Sequence, residues 1–118
     1  LQKIKTREAI TPTATLIEIK QRLDRVLAKY AEKLSDEAIK IVQETYLNRF
    51  EGIEGVLIEQ DAELVEDLEI DFNVRLPKSI QEGASVDEVR SVILTMQNKL
   101  NKARTSLKEA TQSKNKIF

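Results

Sequence analysis

Hydrophobic residues recur at helical spacing in the first half of the chain. From Ala14 to Leu34 they are separated by three or four residues, which places them on one face of an amphipathic helix. A second set with similar spacing predicts another helix from Ser35 to about Phe50. The two sets are Leu16, Ile19, Leu23, Val26, Tyr30 and Leu34, and then Ile39, Val42, Tyr46 and Phe50.

Residues that favour helix starts stand before both segments. Thr11, with Pro12 at the first helical position, or Thr13 can cap the first helix. Ser35 suits the N-cap of the second. The pattern leaves open whether Ser35 separates two helices or lies within one bent helix.

Residues 68–76 follow a different period. Their hydrophobic and polar side chains alternate without interruption, which predicts a half-buried strand that ends at Pro77. The hydrophobic positions of this run are Leu68, Ile70, Phe72, Val74 and Leu76.

The segment before that strand allows two interpretations. In the first, residues 56–60 form a strand that pairs with 68–76 as a β-hairpin. In the second, residues 57–67 form a helix, with Leu57, Asp61, Leu64 and Leu68 at helical spacing. The hairpin is favoured because an isolated strand needs a partner. Two glycines, Gly52 and Gly55, are expected to end the helix that precedes it.

The last third of the chain carries a heptad repeat. Ser85 and Glu88 have the spacing of a capping box, which predicts a helix start. Hydrophobic residues then alternate steps of three and four, the period that produces left-handed supercoils. They are Val86, Val89, Ile93, Met96, Leu100, Ala103, Leu107 and Ala110. A helix of this length exceeds what a compact globule of this size needs, so self-association through the heptad surface is expected.

Together these elements predict an α+β fold that is mostly α. It has two N-terminal helices, a small β-hairpin element at about 54–76 and a long coiled-coil-like C-terminal helix. We expect a single domain over residues 1–118. Its predicted parts are a flexible basic N-terminus (1–12), a helical region (13–50), an acidic β element (53–76), a loop (77–84), a long heptad helix (85–112) and a frayed tail (113–118).

Composition removes several kinds of chemistry. The 118 residues include no Cys, no His and no Trp, and only 4% are aromatic. Disulfides, thiolate metal sites and the commonest general base are therefore excluded. The acidic residues between 61 and 71 lack the spacing of an EF-hand loop, and no Gly-rich phosphate loop occurs. We expect no catalytic, cofactor-binding or metal-binding residues and no cofactor.

Charge is distributed unevenly although the net charge is only −1. Residues 52–76 contain eight acids and one base, whereas residues 99–118 contain six bases and one acid. These charges could be solvated faces, could attract each other within the chain or between copies, or could face an external partner.

The function predicted from these patterns is a non-catalytic oligomeric protein–protein interaction module, such as an adaptor, assembly factor or regulator. It would act through the heptad surface and an edge strand. The predicted interaction residues are Val89, Ile93, Met96, Leu100, Ala103, Leu107, Ile70, Phe72 and Val74. The alternatives are a nucleic-acid-associated accessory protein that uses the basic termini, and a carboxylate- or metal-dependent enzyme.

The expected partners are a second copy of the chain, as a homodimer or higher oligomer, and a further protein. Nucleic acid is a less favoured partner. No hydrophobic run reaches the length of a membrane span and no signal-peptide pattern is present, so a cytoplasmic location without membrane contact is expected.

Overall fold

A computed structural model of the chain describes residues 11–115, and the side chains of residues 11–111. Within that range the backbone forms four helical rods joined by short turns, and no strand occurs. Side-chain contacts show that neighbouring rods are antiparallel. Between the first and second rods, Glu18 pairs with Arg49 and Lys29 pairs with Glu37, so residue numbers rise on one rod as they fall on the next. The second and third rods show the same order, because Phe50 contacts Phe72 and Glu54 faces Glu69. The first and last rods also show it, in the hydrogen bonds of Lys20 to Asn101 and of Gln97 to Asp24. The protein is an up-and-down four-helix bundle.

The first and last rods are uninterrupted helices, whereas each of the two middle rods contains a π-helical turn. Helix α1 is Pro12–Ala31. The second rod is α2 (Ser35–Thr45), a π turn (Tyr46–Phe50) and α3 (Glu51–Gln60). The third rod is α4 (Ala62–Ile70), a second π turn (Asp71–Arg75) and α5 (Leu76–Gln81). Helix α6 is Val86–Asn115.

Two of the predicted helix caps are present. The hydroxyl oxygen of Thr11 accepts a hydrogen bond of 3.1 Å from the backbone N–H of Ala14. Ser85 and Glu88 form the predicted capping box, because the side chain of each accepts from the backbone N–H of the other. At the start of α2 the N-cap is Leu34, and Ser35 is the first helical residue. The two N-terminal helices are therefore separate.

A single hydrophobic core lies between the four rods and contains the predicted heptad stripe. Six stripe residues are 8% exposed or less. They are Val89, Ile93, Met96, Leu100, Ala103 and Leu107. The stripe is covered by the other rods of the same chain, so it requires no second copy to bury it.

The predicted α+β fold is wrong, because residues 53–76 form helices and not a β-hairpin. The buried row of the third rod is Leu68, Phe72, Leu76 and Ile80, which repeats every fourth residue. Steps of four drift around an α-helix, which has 3.6 residues per turn. The π turn at Asp71–Arg75 has a longer repeat and keeps this row facing the core.

The predicted boundaries around that segment also need correction. Gly52 and Gly55 lie inside α3 and do not end a helix. The predicted loop at 77–84 is helical as far as Gln81, and Gly83, with a φ of 74°, lies in the turn that follows. Of the predicted N-terminal segment, residues 1–10 lie outside the described part of the chain. Helix α6 continues to Asn115, and the remainder of the predicted tail lies outside the described residues.

Candidate functional site

The two π turns meet at the middle of the bundle, and three aromatic rings fill the space between them. The ring centroids of Phe50 and Phe72 are 5.3 Å apart, and the ring of Tyr46 lies 5.8 Å from both. Such separations allow favourable aromatic pairing. Because π turns within α-helices often occur at functional sites, this region is the candidate site.

Each π turn closes by a hydrogen bond that spans five residues. The N–H of Glu51 donates to the carbonyl of Tyr46, and the N–H of Leu76 donates to the carbonyl of Asp71. The side-chain amide of Asn73 donates to the carbonyl oxygen of Glu69 at 2.9 Å. This bond supplies a partner to a carbonyl beside the widened turn.

A network of four charged side chains lies between the third rod and α6. Lys99 Nζ is 2.7 Å from a carboxylate oxygen of Asp67 and 2.7 Å from one of Asp71. Arg75 pairs with the same two acids, at 2.9 and 2.7 Å. The Asp71 side chain is only 3% exposed. A buried carboxylate with two cationic partners and hydrogen bonds to both is satisfied in this position.

The network changes the protonation behaviour of its members. Hydrogen bonds from Lys99 and Arg75 lower the pKa of Asp67. Burial disfavours the charge on Lys99, but the hydrogen bonds and charges of Asp67 and Asp71 outweigh it and raise the pKa of Lys99. The four groups also line an open groove of about 400 Å³, together with Val92 and Thr95. Two acids and two bases balance one another there.

A second charged group lies between the two middle rods. Glu54 on α3 faces Glu69 on α4. The pKa of Glu54 is raised to about 7 by its burial, by the hydrogen bond that its protonated form can donate to Glu69, and by the charges of Glu69 and Glu51. Glu54 Oε2 is buried and has no hydrogen-bond partner among the described residues. Burial also raises the pKa of the neighbouring Tyr46 phenol, a shift that Asn73 opposes by hydrogen bonding. Chemically, this pair can hold a proton near neutral pH.

The solvent-facing side of the two middle rods combines acids with exposed hydrophobic side chains. We call this surface the hairpin face and define it by the exposed residues Leu47, Ile58, Ile70 and Val74. Elsewhere among residues 11–111, the large hydrophobic side chains that are exposed are Ile17, Leu34, Val56 and Leu94. Val56 is two residues from Ile58 and therefore lies on the opposite side of α3. An open groove of about 470 Å³ beside Ile70 is lined by Asp61, Glu63, Leu64, Glu66, Asp67 and Lys102.

The structure places the predicted interaction residues in two different environments. The six heptad residues and Phe72 lie in the core, whereas Ile70 and Val74 are 43% and 53% exposed. These two groups do not form one surface. The hydrophobic and polar pattern of the sequence did not indicate that Tyr46, Glu54 and Glu69 form a cluster. These residues come close only when the two middle rods pack side by side as antiparallel helices. The predicted β-hairpin did not place them in that arrangement.

Among the described residues, no group of three or more acidic side chains is arranged to hold a metal ion. Within residues 11–115, each helix is too short or too polar to cross a lipid bilayer. Comparison of the chain with protein-family models, with curated proteins and with solved structures finds no match to any of them.

Proposed function

We propose that this four-helix bundle is a non-catalytic protein–protein interaction module. Its docking surface is the hairpin face, and its partner is a basic segment that also carries hydrophobic side chains. The observation that supports this most strongly is the concentration of exposed hydrophobic residues on the two rods that also carry most of the acids. Exposed hydrophobic patches bordered by polar residues commonly mark interaction sites.

The hydrophobic part of the surface follows from helical geometry. Ile70 and Val74 are four residues apart on the third rod, and Ile58 lies one turn beyond Glu54 on the second. Glu54 in turn faces Glu69, so the exposed side chains of Ile58 and Ile70 lie near the contact between the two rods. Fully burying an aliphatic side chain of this size contributes about 1.5–3 kcal/mol. Several half-exposed side chains can therefore supply a few kcal/mol to association.

The charges on the same surface determine the kind of partner. Among the described residues, Glu51, Glu63, Glu66 and Glu69 have no Lys or Arg nitrogen within 4.0 Å. A basic partner would relieve the repulsion between them and would be steered toward the surface. A basic amphipathic helix has both required properties, because it presents hydrophobic anchors and positive charge together.

The burial of the heptad stripe and the ion pairs of Lys99 also affect the other two candidate partners, which are a second copy of the chain and nucleic acid. A second copy cannot use the heptad stripe of an intact bundle, because the stripe is buried within the chain. Self-association of the intact bundle would therefore have to use the hairpin face, in competition with the proposed basic partner. Lys99 is held by Asp67 and Asp71, which reduces the positive charge that α6 offers to nucleic acid.

The proposal can be tested with a synthetic amphipathic peptide of Leu and Lys, and with a control peptide in which every Lys is replaced by Glu. We expect the Lys peptide to shift backbone amide NMR signals of residues 47–74 and the Glu peptide to leave them unchanged. The double variant I70S/V74S should weaken the affinity, measured by calorimetry, by about tenfold or more. The matched control L94S removes a leucine of similar exposure from α6 and should bind like the wild type.

Three results would contradict the proposal. One is a set of NMR shifts that lie outside the hairpin face or are equal for both peptides. Another is light scattering that shows a dimer which I70S/V74S dissociates, because the occupant of the face would then be a second copy. The third is a mobility shift with nucleic acid at low salt that is lost when Lys102 and Lys108 are replaced by Gln.

A further inference from the structure

The contact between the two middle rods contains two acids that face each other without a cation. Glu54 and Glu69 approach across the interface of α3 and α4, one turn from the aromatic cluster. Neither carboxylate has an ion-pair partner within 4.0 Å among the described residues. By contrast, the two acids on the other side of the third rod share both Lys99 and Arg75. The acids Asp67 and Asp71 are thus neutralised by cations, whereas the acids Glu54 and Glu69 are not.

On the side of the interface that lacks a cation, one oxygen atom of Glu54 needs a hydrogen-bond donor. Its Oε2 atom is buried and lacks a hydrogen-bond partner in the described part of the chain. A buried polar oxygen without a partner destabilises the folded state, because it has lost its hydrogen bonds to water. One proton shared between Glu54 and Glu69 would satisfy that oxygen, because a protonated carboxyl donates to a neighbouring carboxylate. With no proton, two like charges would face each other at the same place.

We propose that Glu54 and Glu69 form a proton-dependent latch, which holds the two middle rods together when the pair carries one proton and loosens their contact when both acids are ionised. The latch lies next to the two π turns, since Glu54 follows the first π turn by one helical turn and Glu69 shortly precedes the second. Its opening would act first on the packing of Tyr46 against Phe72. This device does not depend on the proposed docking function.

The surroundings of the pair are consistent with titration near neutral pH. Besides Glu69, the charged group that acts on Glu54 is the carboxylate of Glu51 on the same helix. The Tyr46 phenol lies nearby, and the charge of Glu54 acts on it. Asn73 beside them is neutral. The helices α1 and α6 also pack on α3, and their described residues bring no cation into ion-pair contact with Glu54.

The direction of the pH effect follows from the pKa of Glu54, which is raised from 4.5 to about 7. A raised pKa means that the folded state binds the proton more tightly than the unfolded state. The resulting stabilisation is complete below pH 4.5 and is lost as the pH rises through about 7.

The experiment compares thermal unfolding of wild type and the variant E54Q between pH 5 and pH 8. Gln is neutral at every pH and can donate a hydrogen bond to Glu69. We expect E54Q and wild type to melt within about 2 °C of each other at pH 5, and E54Q to melt about 5 °C higher at pH 8. The control E59Q removes the same charge from an exposed site on the same helix and should show no such pH-dependent difference.

Carbon-13 NMR titration of the glutamate carboxyl groups in the wild-type protein provides a second measurement that needs no variant. It should show one Glu titrating between pH 6 and 8, identified as Glu54 by assignment, and amide hydrogen exchange near Tyr46 and Phe72 should accelerate over the same range. A Glu54 carboxyl that titrates near 4.5, or a melting difference that is equal at both pH values, would overturn the latch.

Discussion

The ammonium group of Lys99 lies 2.7 Å from a carboxylate oxygen of Asp71, an acid whose side chain is 3% exposed. Asp71 lies in the π turn of the third rod and Lys99 lies near the middle of α6, so this ion pair joins the two rods. The charge pattern of the sequence left open whether the acidic central segment and the basic C-terminal segment attract each other within one chain. The pair of Asp71 and Lys99 is such an attraction.

Replacing Lys99 by Met should destabilise the bundle by about 2 kcal/mol. The variant keeps the hydrophobic stem but leaves Asp71 buried with Arg75 as its remaining partner. Urea unfolding at pH 7 measures the change. K102M is the matched control, because Lys102 is exposed and forms no ion pair within the described residues, and it should change the stability by less than about 0.5 kcal/mol. Equal effects of the two substitutions would show that the ion pair does not stabilise the fold.

The same network predicts how the protein responds to acid. The pKa of Asp67 is lowered below its usual value of 3.8 by hydrogen bonds from Lys99 and then Arg75. A lowered pKa means that stabilisation is present above about pH 4 and is lost as the pH falls through the folded-state value. The stability difference between wild type and K99M should therefore shrink when urea unfolding is repeated between pH 5 and pH 2.5. If the stability difference between wild type and K99M stayed constant over this pH range, the effect of Lys99 would not depend on the ionisation of Asp67 and Asp71, and the prediction would be wrong.

Phe72 and Val74 provide a direct comparison of the helical and strand interpretations. In a strand they would share a buried face, whereas the structure buries Phe72 among aromatic rings and exposes Val74 to 53%. F72A should cost about 3–5 kcal/mol, because it removes a large core side chain and leaves a cavity. V74A should cost less than about 1 kcal/mol in the same chemical denaturation. Similar losses for both variants would favour the strand.

The period of residues 68–76 could not by itself distinguish these two structures. A strict alternation contains a row in which every fourth residue is hydrophobic, so Leu68, Phe72 and Leu76 satisfy both a strand and a widened helix. The two structures differ at Ile70 and Val74, which a strand would bury and which the observed helix exposes. Only the packing of the other rods determines which of these rows is covered.

Local sequence signals, by contrast, were sufficient to predict helix caps, because a cap is formed by residues that are close together in the sequence. Thr11 caps α1 through Ala14, and Ser85 and Glu88 cap each other within one turn. These interactions need no information about distant residues. The candidate site requires such information, because Glu54 and Glu69 meet only when the second and third rods are aligned. The acids were visible in the sequence, but their pairing was not.

Thr45 directly precedes the first π turn and is fully buried. Its hydroxyl oxygen has no hydrogen-bond partner among the described residues. A buried hydroxyl without a partner has lost its bonds to water and gained none in return. Because Val has nearly the same shape, T45V should raise the free energy of unfolding by about 1 kcal/mol. The control T105V changes an exposed threonine on α6 and should have almost no effect on the urea midpoint. Destabilisation by T45V would mean that the hydroxyl contributes to the π turn, for example by bonding a backbone carbonyl that the widened helix releases.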